Sequence, residues 1–275
     1  MFTLNCKGRL LVVDKPLVMG IINATPDSFF GGNRSTEVDE IVAKAAKMLS
    51  DGADLIDIGG QSTRPGSDLI SPDEEIKRVV PAVKAIIQKF PDTLISIDTF
   101  YSNVAIAAVN SGAAIVNDIS AGSMDKKMIE TVARLKVPYI LMHMKGTPQI
   151  MQQNAVYENV NREVLDFFIA KTNELRKAGV LDMIIDPGFG FGKTIEHNFE
   201  LLKNLSVFKM LDKPILVGIS RKSTIYKTLG VTADEALNGT SVLNTIALMN
   251  GASVLRVHDV KEAKEAVTLF LATNK

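Results

Sequence analysis

Polar side chains recur in this chain immediately after short, apolar, β-branched runs, and their types are those that bind and polarise a small molecule. In chain order they are Asn23, then Asp57 and Gln61, Asp98, Asn117 and Asp118, His143, Asp186, Ser220, and finally Arg256 and His258. Asp98, Asn117 and Asp186 together can accept from and donate to a flat heterocycle that carries amino and ring N–H groups. Arg64, Lys193, Arg221, Lys222, Arg256 and His258 form a second, basic set suited to a phosphate or carboxylate. The two sets suggest a heterocycle at the centre of a site and an anion near its mouth. Each residue also has a plainer reading. Asp98 or Asp186 caps the following loop, Asn117-Asp118 is a turn pair, Arg256 satisfies a neighbouring carboxylate, His143 packs in the core, and His197 lies in the first turn of a surface helix.

The densest local signal is Asp186-Pro187-Gly188-Phe189-Gly190-Phe191-Gly192-Lys193. Alternate glycines weaken regular structure by roughly 0.5–1 kcal/mol each, so such a loop implies close approach to another group. It is not a phosphate-cradling loop, because Gly188 stands one residue too close to Gly192-Lys193-Thr194. Lys193 is read as the start of the next helix, with contact to the anion as the alternative.

Metal and nucleophile chemistry are narrowed by spacing. The histidines at 143, 197 and 258 are dispersed, and a structural zinc site is not supported. The Asn23 carboxamide oxygen, with the phosphates of a substrate, suits a hard ion such as Mg2+ that keeps several waters; the alternative is that Asn23 only stabilises its turn. The one cysteine, Cys6, lies far from the polar positions, and neither a Ser-His-Asp nor a Cys-His arrangement is present.

The elements that must carry these residues alternate. Phe2 to Cys6 and Leu10 to Val13 read as a hairpin, placed to cover one end of a larger fold. Strands are then expected at Leu17–Ile22, Leu55–Ile58, Leu94–Ile97, Ala114–Val116, Tyr139–Met142, Met183–Ile185, Ile215–Val217 and Val254–Val257. Helix-periodic segments separate them, including a single helix over Glu196–Phe208 and a last one over Lys261–Leu271. Gly112, Gly179 and Gly251 fall where helices end. Eight βα units in a chain of this length predict a TIM (β/α)8 barrel with a short N-terminal β-hairpin: one domain, with 1–14 the hairpin and 15–275 the barrel. A doubly wound sheet would need a Gly-x-Gly-x-x-Gly turn where Asn23-Ala24-Thr25-Pro26-Asp27-Ser28 stands. In a barrel the polar strand ends converge on one rim, the usual catalytic face.

Acidic and basic residues balance at 31 each, so no global field recruits nucleic acid or an anionic membrane, and an anionic substrate needs a local cluster. The single cysteine fits a reducing compartment, and with no transmembrane-length run and no secretory leader the expected location is cytoplasmic.

The motifs resemble those of the dihydropteroate synthase family. Gly20-Ile21-Ile22-Asn23-Ala24-Thr25-Pro26-Asp27-Ser28-Phe29 is similar to that family's first-loop signature, and Ile56-Asp57-Ile58-Gly59-Gly60-Gln61-Ser62-Thr63-Arg64-Pro65-Gly66 to its second. Ser96-Ile97-Asp98-Thr99, Val116-Asn117-Asp118-Ile119-Ser120, Leu141-Met142-His143-Met144-Lys145-Gly146, the loop from Asp186 to Lys193, Gly218-Ile219-Ser220-Arg221-Lys222-Ser223 and Val257-His258-Asp259 extend the resemblance over nearly the whole chain. It implies condensation of (7,8-dihydropterin-6-yl)methyl diphosphate with 4-aminobenzoate, giving 7,8-dihydropteroate and diphosphate for folate biosynthesis. It further implies that Asp98, Asn117, Asp186 and Lys222 bind the pterin, with Met142 and Ile119 against its ring. Asn23 through Mg2+, Arg64, Arg256 and His258 would face the diphosphate, while Thr63, Pro65, Phe189, Gly190 and Ser223 would shape the aminobenzoate pocket beside the Gly218 loop. A homodimer through the late helices is implied as well. One position departs from the pattern: Gln61 stands where the family usually has glutamate. The competing readings are a methyltetrahydrofolate-dependent corrinoid methyltransferase, which needs no diphosphate site, and a non-catalytic pterin-binding protein.

Overall fold

The computed structural model describes residues 1–25, 34–61, 68–147, 149, 151 and 155–273. Its first two strands, β1 (Phe2–Cys6) and β2 (Arg9–Val13), pair antiparallel from Phe2↔Val13 to Cys6↔Arg9. Lys7 (φ 53°) and Gly8 (φ 85°) make the two-residue connection, whose double left-handed backbone matches the twist of a tight hairpin.

Eight parallel strands follow: β3 (Leu17–Asn23), β4 (Leu55–Gly59), β5 (Ile95–Asp98), β6 (Ile115–Asp118), β7 (Tyr139–Met142), β8 (Met183–Asp186), β9 (Leu216–Val217) and β10 (Val254–Val257). They are ordered β8-β7-β6-β5-β4-β3-β10-β9. A parallel bridge between Ile185 and Ile215 joins the two ends and closes the barrel. The helices that alternate with them are α1 (Arg34–Ser50), α2 (Pro72–Lys89), α3 (Ser102–Asn110), α4 (Met128–Leu135), α5 (Val160–Lys177), α6 (Ile195–Lys203), α7 (Ser223–Leu229), α8 (Leu237–Met249) and α9 (Val260–Thr273). The expected TIM barrel and hairpin are therefore observed. The helix expected over Glu196–Phe208 ends at Lys203, and Leu205–Leu211 continues as a 3-10 helix. Gly112, Gly179 and Gly251 end their helices with φ of 124°, 92° and 102°.

Strand alternation divides the interior into layers. Leu17, Met19, Leu55, Ile115, Ile140, Ile184, Leu216 and Val254 point inward at one end and pack with Leu4, Cys6 and Val13 of the hairpin, which plugs that end with apolar surface. The intervening residues, among them Val18, Ile56, Ile97, Val116, Leu141, Ile185, Val217 and Leu255, face the helices in the main core. Two residues beyond the apolar plug, on the same inward face by the period of a strand, stand Asp57, Asn117, Met142, Asp186, Gly218 and Arg256. The barrel is thus sealed by hydrocarbon at its base and polar one layer higher.

Candidate functional site

Asp98, Asn117, Ile119, Met142, Asp186, Phe191, Gly218, Lys222 and Arg256 line one pocket at the C-terminal ends of the strands. Strand ends β5, β6, β7, β8 and β10 and the loops after β6, β8 and β9 supply these residues, and the expected polar set converges. Ile119 and Met142 are buried and cluster with Phe100, with Phe191 packed against them, giving the polar layer an apolar wall.

Arg256 organises the floor. Its Nε donates to Asp57 Oδ2 at 2.7 Å, and its terminal NH2 lies 2.6 Å from both Asp57 Oδ2 and Asp98 Oδ2. Asp57 is fully buried and also accepts from Asn117 Nδ2 at 3.1 Å. One carboxylate therefore fixes both a cation and an amide of the pocket, leaving the Asn117 carbonyl oxygen without a protein partner among the described residues. Burial raises the Asp98 carboxyl to about 7; the Arg256 charge opposes the shift, while those of Asp57, Asp118 and Asp186 add to it. Burial works against the Arg256 charge, but Asp57 and Asp98 more than compensate, and its pKa rises.

The loop after β8 forms the opposite side. Asp186 Oδ1 accepts from Gly188 N at 2.7 Å; burial raises its pKa and Lys222 opposes this. Lys222, the N-cap of α7, donates from Nζ to the Phe189 carbonyl at 2.6 Å and lies 4.8 Å from the centre of the Phe191 ring. Burial lowers it to about 8, against the pull of Asp186. His258 is exposed at the end of β10, 3.2 Å from Ser220 Oγ through Nδ1; burial of part of its ring, followed by the Arg256 charge, lowers it to about 4. Ser223 opens α7 half-buried next to Lys222.

Several expectations are corrected. The Phe189 ring is fully buried in the main core, so the rim receives its carbonyl, while the neighbouring aromatic, Phe191, lines the pocket. Lys193 does not open the next helix. Thr194 caps α6, with His197 completing a capping box in the first turn as expected of a surface histidine. Lys193 turns inward instead, 2% exposed, and meets His143 Nδ1 at 2.9 Å. Arg221 is not offered to an anion either: it makes a two-point ion pair with Asp259 and donates to the Ala233 and Asp234 carbonyls. Asp118 serves the fold, accepting from Ser120, Gly122 and Tyr139. Gln61 uses both ends of its amide, donating to Asp68 O (3.0 Å) and accepting from Ile70 N (2.8 Å). A carboxylate there would lack the donor. Thr63, Arg64 and Pro65 lie outside the described residues.

The sequence places Asp57 among the polar strand ends without a role in the site, and it does not single out Phe191. Strand parity carried the first, since Asp57 follows plug residue Leu55 by two, and the alternating Gly-Phe pattern carried the second. At the metal position, Asn23 ends β3 with an exposed side chain that has no protein partner among the described residues. Among those residues no group of three or more His, Cys, Asp or Glu side chains could hold an ion by itself. One free amide oxygen fits a magnesium ion shared with substrate phosphates and does not fit an all-protein cage.

A closed parallel barrel whose rim pairs carboxylates and an amide with buried cations, beside an apolar wall, is a site for a flat aminated heterocycle. Comparison with known proteins agrees. The model of the pterin binding enzyme family matches residues 19–258. The dihydropteroate synthase of Haemophilus influenzae is 41% identical over 272 residues, 98% of each chain. Among solved structures, the Yersinia pestis dihydropteroate synthase in a sulfonamide drug complex superposes with a TM-score of 0.93 at 40% identity, covering 99% of both chains. The Xanthomonas albilineans dihydropteroate synthase with 4-aminobenzoic acid does so with 0.92 at 38%, covering 99% of this chain and 98% of the other. The chain belongs to the dihydropteroate synthase family of pterin-binding enzymes.

Proposed function

We infer that this transferase joins (7,8-dihydropterin-6-yl)methyl diphosphate to 4-aminobenzoate, forming 7,8-dihydropteroate and diphosphate. The observation that carries the reading is the polar layer of Asp98, Asn117, Asp186, Lys222 and Arg256 set against Ile119, Met142 and Phe191 in one pocket. The unpaired Asn117 carbonyl oxygen and the second oxygen of Asp186 accept from the amino and ring N–H groups of the pterin, and Lys222 donates to its acceptor atoms. Ile119, Met142 and Phe191 cover the ring face.

The bond from the pterin methylene to the diphosphate oxygen breaks with its electron pair leaving on diphosphate; the arylamine nitrogen then bonds to that carbon and releases one proton. The electron-rich ring supports departure ahead of attack. Asp98 and Asp186, already fixed, stabilise the growing positive charge in the ring without reorganising. Arg256 and His258 face the leaving group, and no covalent nucleophile or strong base is needed, because an arylamine attacks as a neutral species. Magnesium bound at Asn23 and the phosphates would supply further neutralisation of leaving-group charge. Thr63, Pro65, Gly190 and Ser223 are assigned to the aminobenzoate side, with Phe189 contributing its backbone and not its buried ring, and Arg64 is assigned to the diphosphate.

Two wider readings accompany this one. No helix among the described residues is long and apolar enough to cross a membrane. The lone free thiol of Cys6 supports work in a reducing compartment such as the cytoplasm, and the balance of 31 acidic and 31 basic residues supports small-molecule substrates rather than nucleic acid. Exposed Val242, Ile246 and Met249 on α8, with Leu229 and Leu269 nearby in sequence order on α7 and α9, support a homodimer.

The test is diphosphate release from the pterin diphosphate with and without 4-aminobenzoate and magnesium. Dihydropteroate forms in the complete mixture, one per diphosphate; without the amine, water captures the cation slowly and diphosphate still appears. No dihydropteroate in the complete mixture refutes the assignment.

A further inference from the structure

Lys193 is among the most deeply buried cations of the described residues, and the reaction above does not use it. Its Nζ meets His143 Nδ1 at 2.9 Å, Gly188 O at 3.0 Å, Phe191 O at 3.1 Å and His143 O at 3.2 Å. None of these partners is a carboxylate. Taking an ammonium out of water costs several kcal/mol, which here is offset by four neutral acceptors. Burial lowers Lys193 to about 7, with Asp186 opposing, and burial followed by the Lys193 and Lys145 charges keeps the His143 ring neutral. A neutral ring facing the lysine through Nδ1 as acceptor carries its proton on Nε2.

The acceptors identify what is held. Gly188 O and Phe191 O belong to the loop that Lys193 itself ends, so the side chain folds back and ties both to the end of β7. The loop has little freedom to find this shape by another route. Gly188, Gly190 and Gly192 have φ of 72°, 84° and 62°, and a Cβ at Gly188 or Gly192 would stand 2.0 Å from His143 O or 2.5 Å from Lys145 O. Tyr157 braces the far end, donating from its hydroxyl to Gly192 O at 2.9 Å. On its other side this loop carries Asp186, the Phe189 carbonyl that fixes Lys222, and the Phe191 ring against which Lys222 lies.

We propose that Lys193 is a positioning residue for the pterin half of the site: it locks the Gly188–Phe191 backbone to the end of β7 so that Asp186, Phe191 and Lys222 stand in register with the ring. The proposal rests on the pterin assignment above and extends it to a residue outside the pocket. It acts chiefly on ring affinity, because Asp186, Phe191 and Lys222 all line the pocket, whereas of the residues assigned to aminobenzoate only Phe189 and Gly190 belong to this loop.

The experiment replaces Lys193 by methionine, which keeps the stem and removes the donors. Affinity for 6-hydroxymethyl-7,8-dihydropterin, which lacks the diphosphate, is measured by titration calorimetry, and KM for each substrate by steady-state kinetics. The expected result is a tenfold or greater loss of affinity for the pterin alcohol and an equal rise in KM for the pterin diphosphate, with KM for 4-aminobenzoate within threefold of the parent. His143→Leu removes one of the four acceptors and is expected to weaken pterin binding two- to fivefold, less than additively with Lys193→Met. Unchanged pterin affinity in folded Lys193→Met, or equal effects on both substrates, overturns the proposal. If Lys193→Met does not fold, unchanged pterin affinity in His143→Leu overturns it instead. A parent enzyme that neither binds the pterin alcohol nor forms dihydropteroate refutes the function itself, which separates the two failures.

Discussion

Replacing Asp57 by asparagine removes one charge from beneath the site and almost nothing else. The parent carboxylate uses Oδ2 for three contacts, with Arg256 Nε, the Arg256 NH2 group and Asn117 Nδ2, while its Oδ1 is buried without a hydrogen-bond partner. Asparagine can therefore present its carbonyl oxygen to the same three donors and turn its NH2 toward the unpartnered side. Geometry survives, and what is lost is the charge assistance of the bonds to Arg256. Charged hydrogen bonds contribute about 1.5–3 kcal/mol against about 0.5–1.5 for neutral ones, so the two weakened bonds cost about 2–3 kcal/mol together. Asp98 remains beside the guanidinium, which keeps the loss below the roughly 3–5 kcal/mol of an uncompensated buried charge. An unfolding entropy of about 2.1 cal/mol/K per residue gives about 0.6 kcal/mol/K for a chain of this length, hence a fall in Tm of about 3–5 °C. Differential scanning calorimetry measures it. Because Asp98 is then the one charged partner of Arg256 among these contacts and holds more of its charge, kcat/KM for the pterin diphosphate should also fall about tenfold or more, equivalent to about 1.4 kcal/mol. A Tm within 1 °C of the parent with unchanged kcat/KM refutes the view that Asp57 sets the floor of the site.

The remaining predictions concern the loop after β8 and the titrating groups. Gly188→Ala forces a Cβ onto a main-chain oxygen at a left-handed φ and should prevent the loop from forming, whereas Gly190→Ala, whose nearest contact is Lys222 Cδ at 3.4 Å, should cost only the backbone strain of about 1–2 kcal/mol; equal Tm losses in thermal melts refute this packing. Free-enzyme kcat/KM for the pterin diphosphate should rise with pH as Asp98 ionises through about 7 and fall as Lys222 loses its proton above about 8. An acidic limb that persists unchanged in Asp98→Asn would show that another group produces it. Glu75, fully buried in α2 with Thr99 Oγ1 as donor, is pushed by burial from 4.5 to about 8. Between those values the folded state holds a proton that the unfolded chain releases, so its contribution is intact at low pH and is lost as pH rises toward 8. Glu75→Gln should therefore gain in Tm relative to the parent between pH 5 and pH 8, and a constant difference across that range would exclude the titration.

What could be read from the chain, and what could not, divides along a physical line. Strand ends were legible because two constraints act on the same few residues: an apolar run must fill the barrel, and the next inward position must face water or ligand. Asp98, Asn117, Asp186 and Arg256 satisfy that rule without reference to what they touch, and so does Asp57, whose position is legible while its role beneath Arg256 is not. The Gly-Phe loop was legible as a place of close approach, and the backbone of His143 and Lys145 is what it approaches. Partner choice was not legible. Lys193, Arg221 and Lys222 all look like anion-binding cations in sequence, yet one is enclosed by carbonyls and an imidazole, one is paired with Asp259, and only Lys222 reaches the pocket. Their fates are decided by contacts made between residues up to 50 positions apart, through the closure of the barrel. A lysine at the end of a glycine-rich loop has a stem long enough to reach either outward to solvent or back across the loop, and at Lys193 the four acceptors gathered inside by the folded backbone decide in favour of the second.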